Sequence, residues 1–244
     1  SRAGGSVPAD DHERVLAFAS AAPPSRFVGY ERLATETAVA AAEPLDDGGA
    51  VLVKLEESPF YPEGGGQVSD SGVLVWNGTE AAVDDVYRVG DDQVVRIVAD
   101  HVPQAGERVA ARVDHVTRHA TMRNHTATHL LHAALRKHLG THVRQAGSAV
   151  RPDKLRFDFT HGQPLSREEV RLVEDQVNEW IKASRPVRAL EMARTEAEAL
   201  GAMALFGEKY GDWVRVIEVD DVSRELCGGT HVANTAECGI FAIV

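Results

Sequence analysis

Arg123-Asn124-His125-Thr126-Ala127-Thr128-His129-Leu130-Leu131-His132 has a counterpart far downstream, Glu225-Leu226-Cys227-Gly228-Gly229-Thr230-His231, and the fold is read from this pair of stretches. His125 and His129 are four residues apart, so on a helix they leave one face a turn apart and can meet one ion. Cys227 and His231 flank a Gly-Gly pair, which predicts a tight loop with positive backbone angles that turns thiolate and imidazole to one point. Three imidazole nitrogens and one thiolate suit zinc better than magnesium or calcium, so one zinc per chain is expected on His125, His129, Cys227 and His231. His132 shares the helix face, so His129 with His132 stays open as the alternative pair. A metalloprotease site needs Glu directly after the first His as general base. Thr126 stands there, which argues against peptide hydrolysis.

Working outward, the helix through His125 is expected over 116–138, opened after Asp114 and stopped at Gly140. Before it, 27–113 shows period-2 patterning in Ala50–Leu55, Gly72–Trp76, 82–89, 93–99 and 109–113. Turn signals at Asp47-Gly48-Gly49, Asn77-Gly78 and Gly90-Asp91-Asp92 separate these runs, which predicts a small barrel or sandwich. After the helix, Ser166-x-x-Glu169 is a capping box for a helix carrying Val170, Val173, Val177 and Ile181. A strand near 187–192, a helix from Thr195 through Leu205, and strands at Trp213–Val219 and 239–244 complete the reading. Residues 1–8 read as disordered, and a short helix is expected over 9–22 before Pro23-Pro24. The fold class is therefore α+β: an extension over 1–26, a β-barrel domain over 27–114, and an α+β zinc-containing domain over 115–244.

The chain has 244 residues, enough for one large domain or two small ones with their own cores. No apolar run approaches the ~18 residues that span a bilayer, and no signal-peptide pattern opens the chain. Its two Cys argue against a disulfide framework and for a reducing compartment, so a cytoplasmic protein with no membrane partner is expected. The chain opens on Ser1 and ends on an apolar run, which predicts a piece of a longer protein. A net charge of −11 speaks against a nucleic-acid partner, but the distribution answers part of the objection. Residues 101–161 carry 10 Lys/Arg against 4 Asp/Glu and hold nine of the eleven His, so a basic centre lies between acidic flanks.

At His125-Thr-Ala-Thr-His129 and Cys227-Gly-Gly-Thr-His231 the chain resembles the editing region of alanyl-tRNA synthetases and the related freestanding AlaX-type proteins. Three further segments match in order: Pro59-Phe-Tyr-Pro-Glu-Gly-Gly-Gly-Gln67, 140–148 with Gln145 and Ser148, and Leu155–Phe159. The resemblance implies hydrolysis of seryl- and glycyl-tRNA for alanine, an aminoacyl-tRNA deacylase acting as the proofreading part of an alanine–tRNA ligase. It implies Gln145 in the catalytic pocket, with Thr128, Gln145 and Ser148 near the substrate side chain. It also implies that Gly64, Gly65, Gly66 and Gln67 face the acceptor end of the tRNA. Read from the residues alone, the glycine triplet presents backbone N–H groups to an anion or forms a flexible hairpin. The implied partners are tRNA for alanine carrying a wrong amino acid and the remaining aminoacylation and C-terminal domains of a parent synthetase. A freestanding deacylase and a non-catalytic zinc-stabilised RNA-binding module are the competing readings.

Overall fold

The computed structural model describes residues 11–45, 49–204 and 211–244. It divides into two compact units, the first comprising Ser1–Gly64 and Val68–Arg118, the second Gly65–Gln67 and His119–Val244. The expectation of disorder over residues 1–8 lies outside the described residues, as do Asp47-Gly48 of the first turn signal.

The first unit holds α1 (His12–Ser20), β1 (Arg26–Phe27), β2 (Ala34–Pro44), β3 (Ala50–Leu55), β4 (Glu57–Ser58), β5 (Gly72–Trp76), β6 (Thr79–Val89), β7 (Asp92–Val98) and β8 (Arg108–Val113). Six of these strands close a barrel in the order β2-β3-β7-β6-β5-β8. Inward residues from alternate positions, among them Val53, Leu55, Leu74, Val86, Ile97 and Ala111, fill its core. β3 is buried at all six positions because both its faces are covered. Val51, Val53 and Leu55 face the barrel interior, and Ala50 and Leu52 meet Val15, Phe18 and Ala19 of α1. Lys54, fully buried on that outer side, donates to the carbonyls of Ala19 (2.8 Å) and Ala22 (3.0 Å) and pairs with Asp92. A cation thus satisfies carbonyls that the end of α1 leaves without partners.

β2 carries no strand pattern in the sequence. Its residues Ala34-Thr-Glu-Thr-Ala-Val-Ala-Ala-Ala-Glu-Pro44 are Ala-rich and of low strand propensity. Pairing on both sides, with β3 and with β8, makes them a strand and closes the barrel. Small side chains cause no steric conflict there, and an irregularity between Val39 and Ala41 bends the strand.

The helix α2 (His115–Leu139) begins in the first unit, where Asp114 Oδ1 accepts from the N–H of Val116 (3.0 Å) and Thr117 (3.1 Å). Arg118, 2% exposed, anchors that first turn. Its Nε donates to Asp70 Oδ1 (2.8 Å), Nη1 to Gly29 O (2.7 Å) and Nη2 to Pro59 O (3.0 Å). From His119 onward the helix belongs to the second unit.

That unit continues with β9 (Gln145–Val150), β10 (Leu155–Phe159), α3 (Arg167–Lys182), β11 (Val187–Ala193), α4 (Arg194–Ala199), β12 (Trp213–Val219), β13 (Ser223–Leu226) and a 3-10 turn over Thr235–Cys238. Leu130, Ala134 and Leu135 of α2 pack with Val173, Val177, Trp180 and Ile181 of α3. The expected Ser166–Glu169 capping box is formed. β11-β12-β13 make an antiparallel sheet and β9-β10 a hairpin. Two expectations need correction. The helix expected from Thr195 is α4, whose N-cap is Ala193 without a side-chain cap, and it ends at Ala199, with Leu200 as C-cap beside Gly201 at φ +74. Leu205, its expected end, lies outside the described residues. Residues 239–244 form no strand, because α3 takes their backbone groups. Phe241 N donates to Asn178 Oδ1 (3.0 Å), Ile243 N to Glu174 Oε2 (2.7 Å), and Asn178 Nδ2 to Phe241 O (2.8 Å).

Candidate metal centre

α2 carries His125 and His129 on one face, and the segment following β13 brings Cys227 and His231 to them. The four ligand atoms lie within 4.8 Å of one another. Cys227 Sγ is 3.5 Å from His125 Nε2 and 3.3 Å from His231 Nε2. Bonds of ~2.3 Å to sulfur and ~2.05 Å to nitrogen at the tetrahedral angle put S and N roughly 3.5 Å apart, so these two pairs have the spacing of a zinc site and the whole set its softness. The loop is held by Arg215 of β12, whose Nη1 donates to the carbonyls of Cys227 (3.0 Å) and Gly229 (2.8 Å). The glycine pair works differently from the sequence expectation. Neither Gly228 nor Gly229 takes a positive φ. Gly229 is needed because a Cβ there would overlap the His125 ring.

Two of the imidazoles, His125 and His231, are also held from behind by hydrogen bonds, and His129 faces a carboxylate. Gln67 Oε1 accepts from the backbone N–H of Thr230 (2.9 Å), which identifies it as the amide oxygen, and lies 2.7 Å from His125 Nδ1. His125 therefore carries its proton on Nδ1 and turns the Nε2 lone pair toward Cys227. His231 Nδ1 lies 3.1 Å from the Thr126 hydroxyl, and His129 Nδ1 lies 3.6 Å from Glu225 Oε2. Oxygen partners behind metal-ligating histidines are a recurrent feature of metal sites. His132 stands outside the four, its Nδ1 3.1 Å from Glu225 Oε1 and its ring beside Phe157. The geometry therefore selects His125 with His129 over His129 with His132.

The electrostatics agree for two of the donors, Cys227 and His231. Burial penalises the Cys227 thiolate, but His125 and His231 outweigh it and hold its pKa well below the usual thiol range. Burial, reinforced by His125, drives His231 down to about 3, so it is neutral and ready to bind. His129 behaves differently: burial opposes its charge, yet the Glu225 carboxylate raises it to about 9. A metal at this position therefore competes with a proton on His129. Burial works against the Glu225 carboxylate too, but His129 and His132 lower its pKa on balance.

The other expected residues distribute unevenly. Gln145 Nε2 donates to Ser148 Oγ (3.0 Å), and both lie on β9. Gly66 sits so close to Ser148 that a Cβ would collide with it, and Gly66 O accepts from Val150 N at 2.7 Å. Thr128 Oγ1 donates to Asn124 O at 2.8 Å, one turn back on α2. Gly65 and Gly66 are exposed with φ +59 and +80, while Gly64 belongs to the first unit and accepts from Tyr61 OH at 3.1 Å. Gln67, expected to face nucleic acid, is fully buried and serves His125 and Thr230 instead. Sequence reasoning assigned no role to Glu225, Thr126 or Arg215. Only the placement of Glu225 and Thr126 inside the two quoted motifs hinted at them.

Two family models match the chain, "Threonyl and Alanyl tRNA synthetase second additional domain" over residues 214–244 and "tRNA synthetases class II (A)" over residues 5–117. The chain is 51% identical over 228 residues to an alanine–tRNA ligase of Thermotoga maritima, covering 90% of this chain and 26% of that protein. It is 48% identical over 237 residues to that of Rubrobacter xylanophilus, covering 96% and 27%. With the Geobacillus thermodenitrificans enzyme it shares 47% identity over 229 residues, 90% of this chain and 26% of the relative. The chain thus spans about a quarter of the length of the relatives it matches.

Proposed function

Since the chain belongs to the alanyl-tRNA synthetase family, we propose that it is the proofreading region of such an enzyme, hydrolysing seryl- and glycyl-tRNA for alanine. The observation that carries this reading is the convergence of His125, His129, Cys227 and His231 on one point, with oxygens hydrogen-bonded behind His125 and His231 and the Glu225 carboxylate facing His129 at 3.6 Å. These four side chains would hold one zinc ion. Bound there, zinc supplies a fixed positive charge that organises the pocket and attracts electron-rich groups of the substrate.

Four protein donors complete a tetrahedron, so positioning of the hydrolytic water falls to the chain's own polar side chains. Ester cleavage needs that water on the carbonyl carbon and a donor at the developing oxyanion. On β9, Gln145 uses its amide N–H on Ser148 and keeps Oε1 as an acceptor for a water or for the substrate's ammonium. Thr128 has given its proton to Asn124 O, so it faces a substrate as an acceptor. An acceptor of this kind bonds a serine hydroxyl and finds nothing on alanine. Polar discrimination of that sort is stronger than exclusion by size in an apolar pocket. The acceptor end of the tRNA is assigned to the exposed Gly65 and Gly66 rather than to buried Gln67.

The test is deacylation of mischarged tRNA by the isolated chain. Release of serine from seryl-tRNA for alanine, lost in Gln145→Ala with zinc content unchanged, supports a proofreading enzyme. Tight tRNA binding without release of serine would overturn it in favour of a non-catalytic RNA-binding module.

A further inference from the structure

We propose that the first unit carries a receptor for one unstacked nucleobase of single-stranded RNA, in a cavity of about 70 Å³ lined by Ser25, Phe27, Tyr30, Tyr61, Arg88 and Gln93. The decisive observation is Gln93 at the start of β7. It is 3% exposed, yet among the described residues neither its Oε1 nor its Nε2 has a partner, and Ser25 Oγ is likewise unpaired there. A buried carboxamide left unsatisfied on both atoms is costly, and such groups mark places where a ligand or ordered water belongs. A carboxamide offers a donor and an acceptor side by side. That arrangement matches the hydrogen-bonding edge of a base, as in the bidentate Gln–adenine pair.

The walls fit the same ligand. Phe27 and Tyr30 meet edge to face with centroids 4.9 Å apart, and Phe27 and Tyr61 do so at 6.1 Å. Tyr30 is 46% exposed and presents an aromatic surface at the mouth, where an unpaired base stacks. Arg88 lies over Tyr61, its guanidinium carbon 5.7 Å from the ring centroid. Its Nε donates to Glu63 O (3.0 Å) and its Nη2 to Pro62 O (3.2 Å), which leaves Nη1 for a flanking phosphate. Of the two carboxylates at the cavity, Asp92 is neutralised by Lys54 and accepts from the N–H groups of Ser25 (2.9 Å) and Gln93 (2.7 Å). Asp91 alone opposes an anion. The cavity also borders Gly64, since Tyr61 OH donates to Gly64 O. The volume admits the edge of one planar heterocycle, with its face left against Tyr30 and its sugar outside.

This inference does not depend on the metal site or on deacylation, so the experiment measures binding alone, on the full chain, with and without a chelator. The probes are an adenosine tetranucleotide, adenosine monophosphate and ribose 5-phosphate. The tetranucleotide is expected to bind more tightly than the mononucleotide, and ribose 5-phosphate not at all, with chelator making no difference. Gln93→Met replaces the orphan amide by an apolar chain of similar length. It is expected to weaken tetranucleotide binding at least about tenfold while the thermal midpoint holds or rises, because the buried unpaired amide is removed. Tyr30→Ala, at a half-exposed position, is expected to weaken binding roughly five- to a hundredfold, the range for losing one base–aromatic stack, and it remains informative should the Gln93 variant fail to fold. Unchanged affinity in the Tyr30 variant, equal binding of ribose 5-phosphate, equal binding of the mononucleotide, or no binding by the parent chain would each overturn the proposal and leave a water-filled cavity.

Discussion

At the scale of single residues, the site turns on which nitrogen each histidine presents. Gln67 fixes the proton of His125 on Nδ1, and Glu225 and Thr126 stand behind His129 and His231. About one zinc per chain is therefore expected by elemental analysis. Cys227→Ala and His231→Ala should each abolish retention after dialysis against a chelator, and His132→Ala should leave it intact. Zinc kept by the first two and lost by the third would move the site to the His129–His132 pair. Outer partners typically change metal affinity by about 10- to 100-fold, so Gln67→Leu should lower zinc affinity by that order in a competition titration. A variant that binds zinc as the parent does would show that Gln67 only packs. Thr128→Val keeps the volume and removes the acceptor. Seryl-tRNA hydrolysis should slow roughly three- to tenfold, the cost of one neutral hydrogen bond of about 0.5–1.5 kcal/mol. Glycyl-tRNA, which has no hydroxyl to read, should be unaffected. Equal slowing on both substrates would mean that Thr128 acts through the helix alone.

At the scale of elements, the Gly229 loop and the α3 cap are the places where one atom decides a conformation. Gly229→Ala would drive a methyl into the His125 ring, so zinc affinity should fall although no ligand is changed. Undiminished affinity would show that the loop relaxes freely. Ser166 accepts from Glu169 N and Glu169 reaches back to Ser166 N. Ser166→Ala should cost about 1 kcal/mol in urea unfolding of the second unit. That cap was legible in the sequence, and so were α2 and most of the barrel strands, because each rests on a local pattern that tertiary packing reinforces. β2 was illegible because an Ala-rich run has little strand propensity of its own, and distant β8 supplies one of its ladders. Residues 239–244 misled for the opposite reason. They carry a strand's pattern, but Asn178 and Glu174 capture the backbone groups that a ladder would need. The convergence of the four candidate donors could be read from spacing, since residue type and period both point to it. The oxygens behind it could not, because Gln67 lies 58 residues before His125 and Glu225 is an ordinary strand residue until folding places it.

At the scale of the molecule, each of the two units has its own core, the barrel interior in one and the α2–α3 packing in the other. All four candidate ligands belong to the second unit, as does Gln67. A ligand that binds only the folded form stabilises by RT ln(1 + [L]/Kd), about 2.7 kcal/mol at a hundredfold excess over Kd. Zinc should therefore raise the unfolding temperature of the second unit, by several degrees for a domain of this size, and leave the barrel transition where it was. Calorimetric scans of the zinc-loaded and chelator-treated chain test this, with Cys227→Ala as a control that should show one fixed pair of transitions under both conditions. The barrel transition is identified independently by Leu74→Ala, a fully buried core position whose truncation costs about 2–5 kcal/mol. If zinc moved the transition that Leu74→Ala marks, metal binding would be coupled to the barrel core. If a single transition carried both responses, the two units would unfold as one cooperative body, and the ligands would stabilise the chain as a whole rather than the unit that contains them.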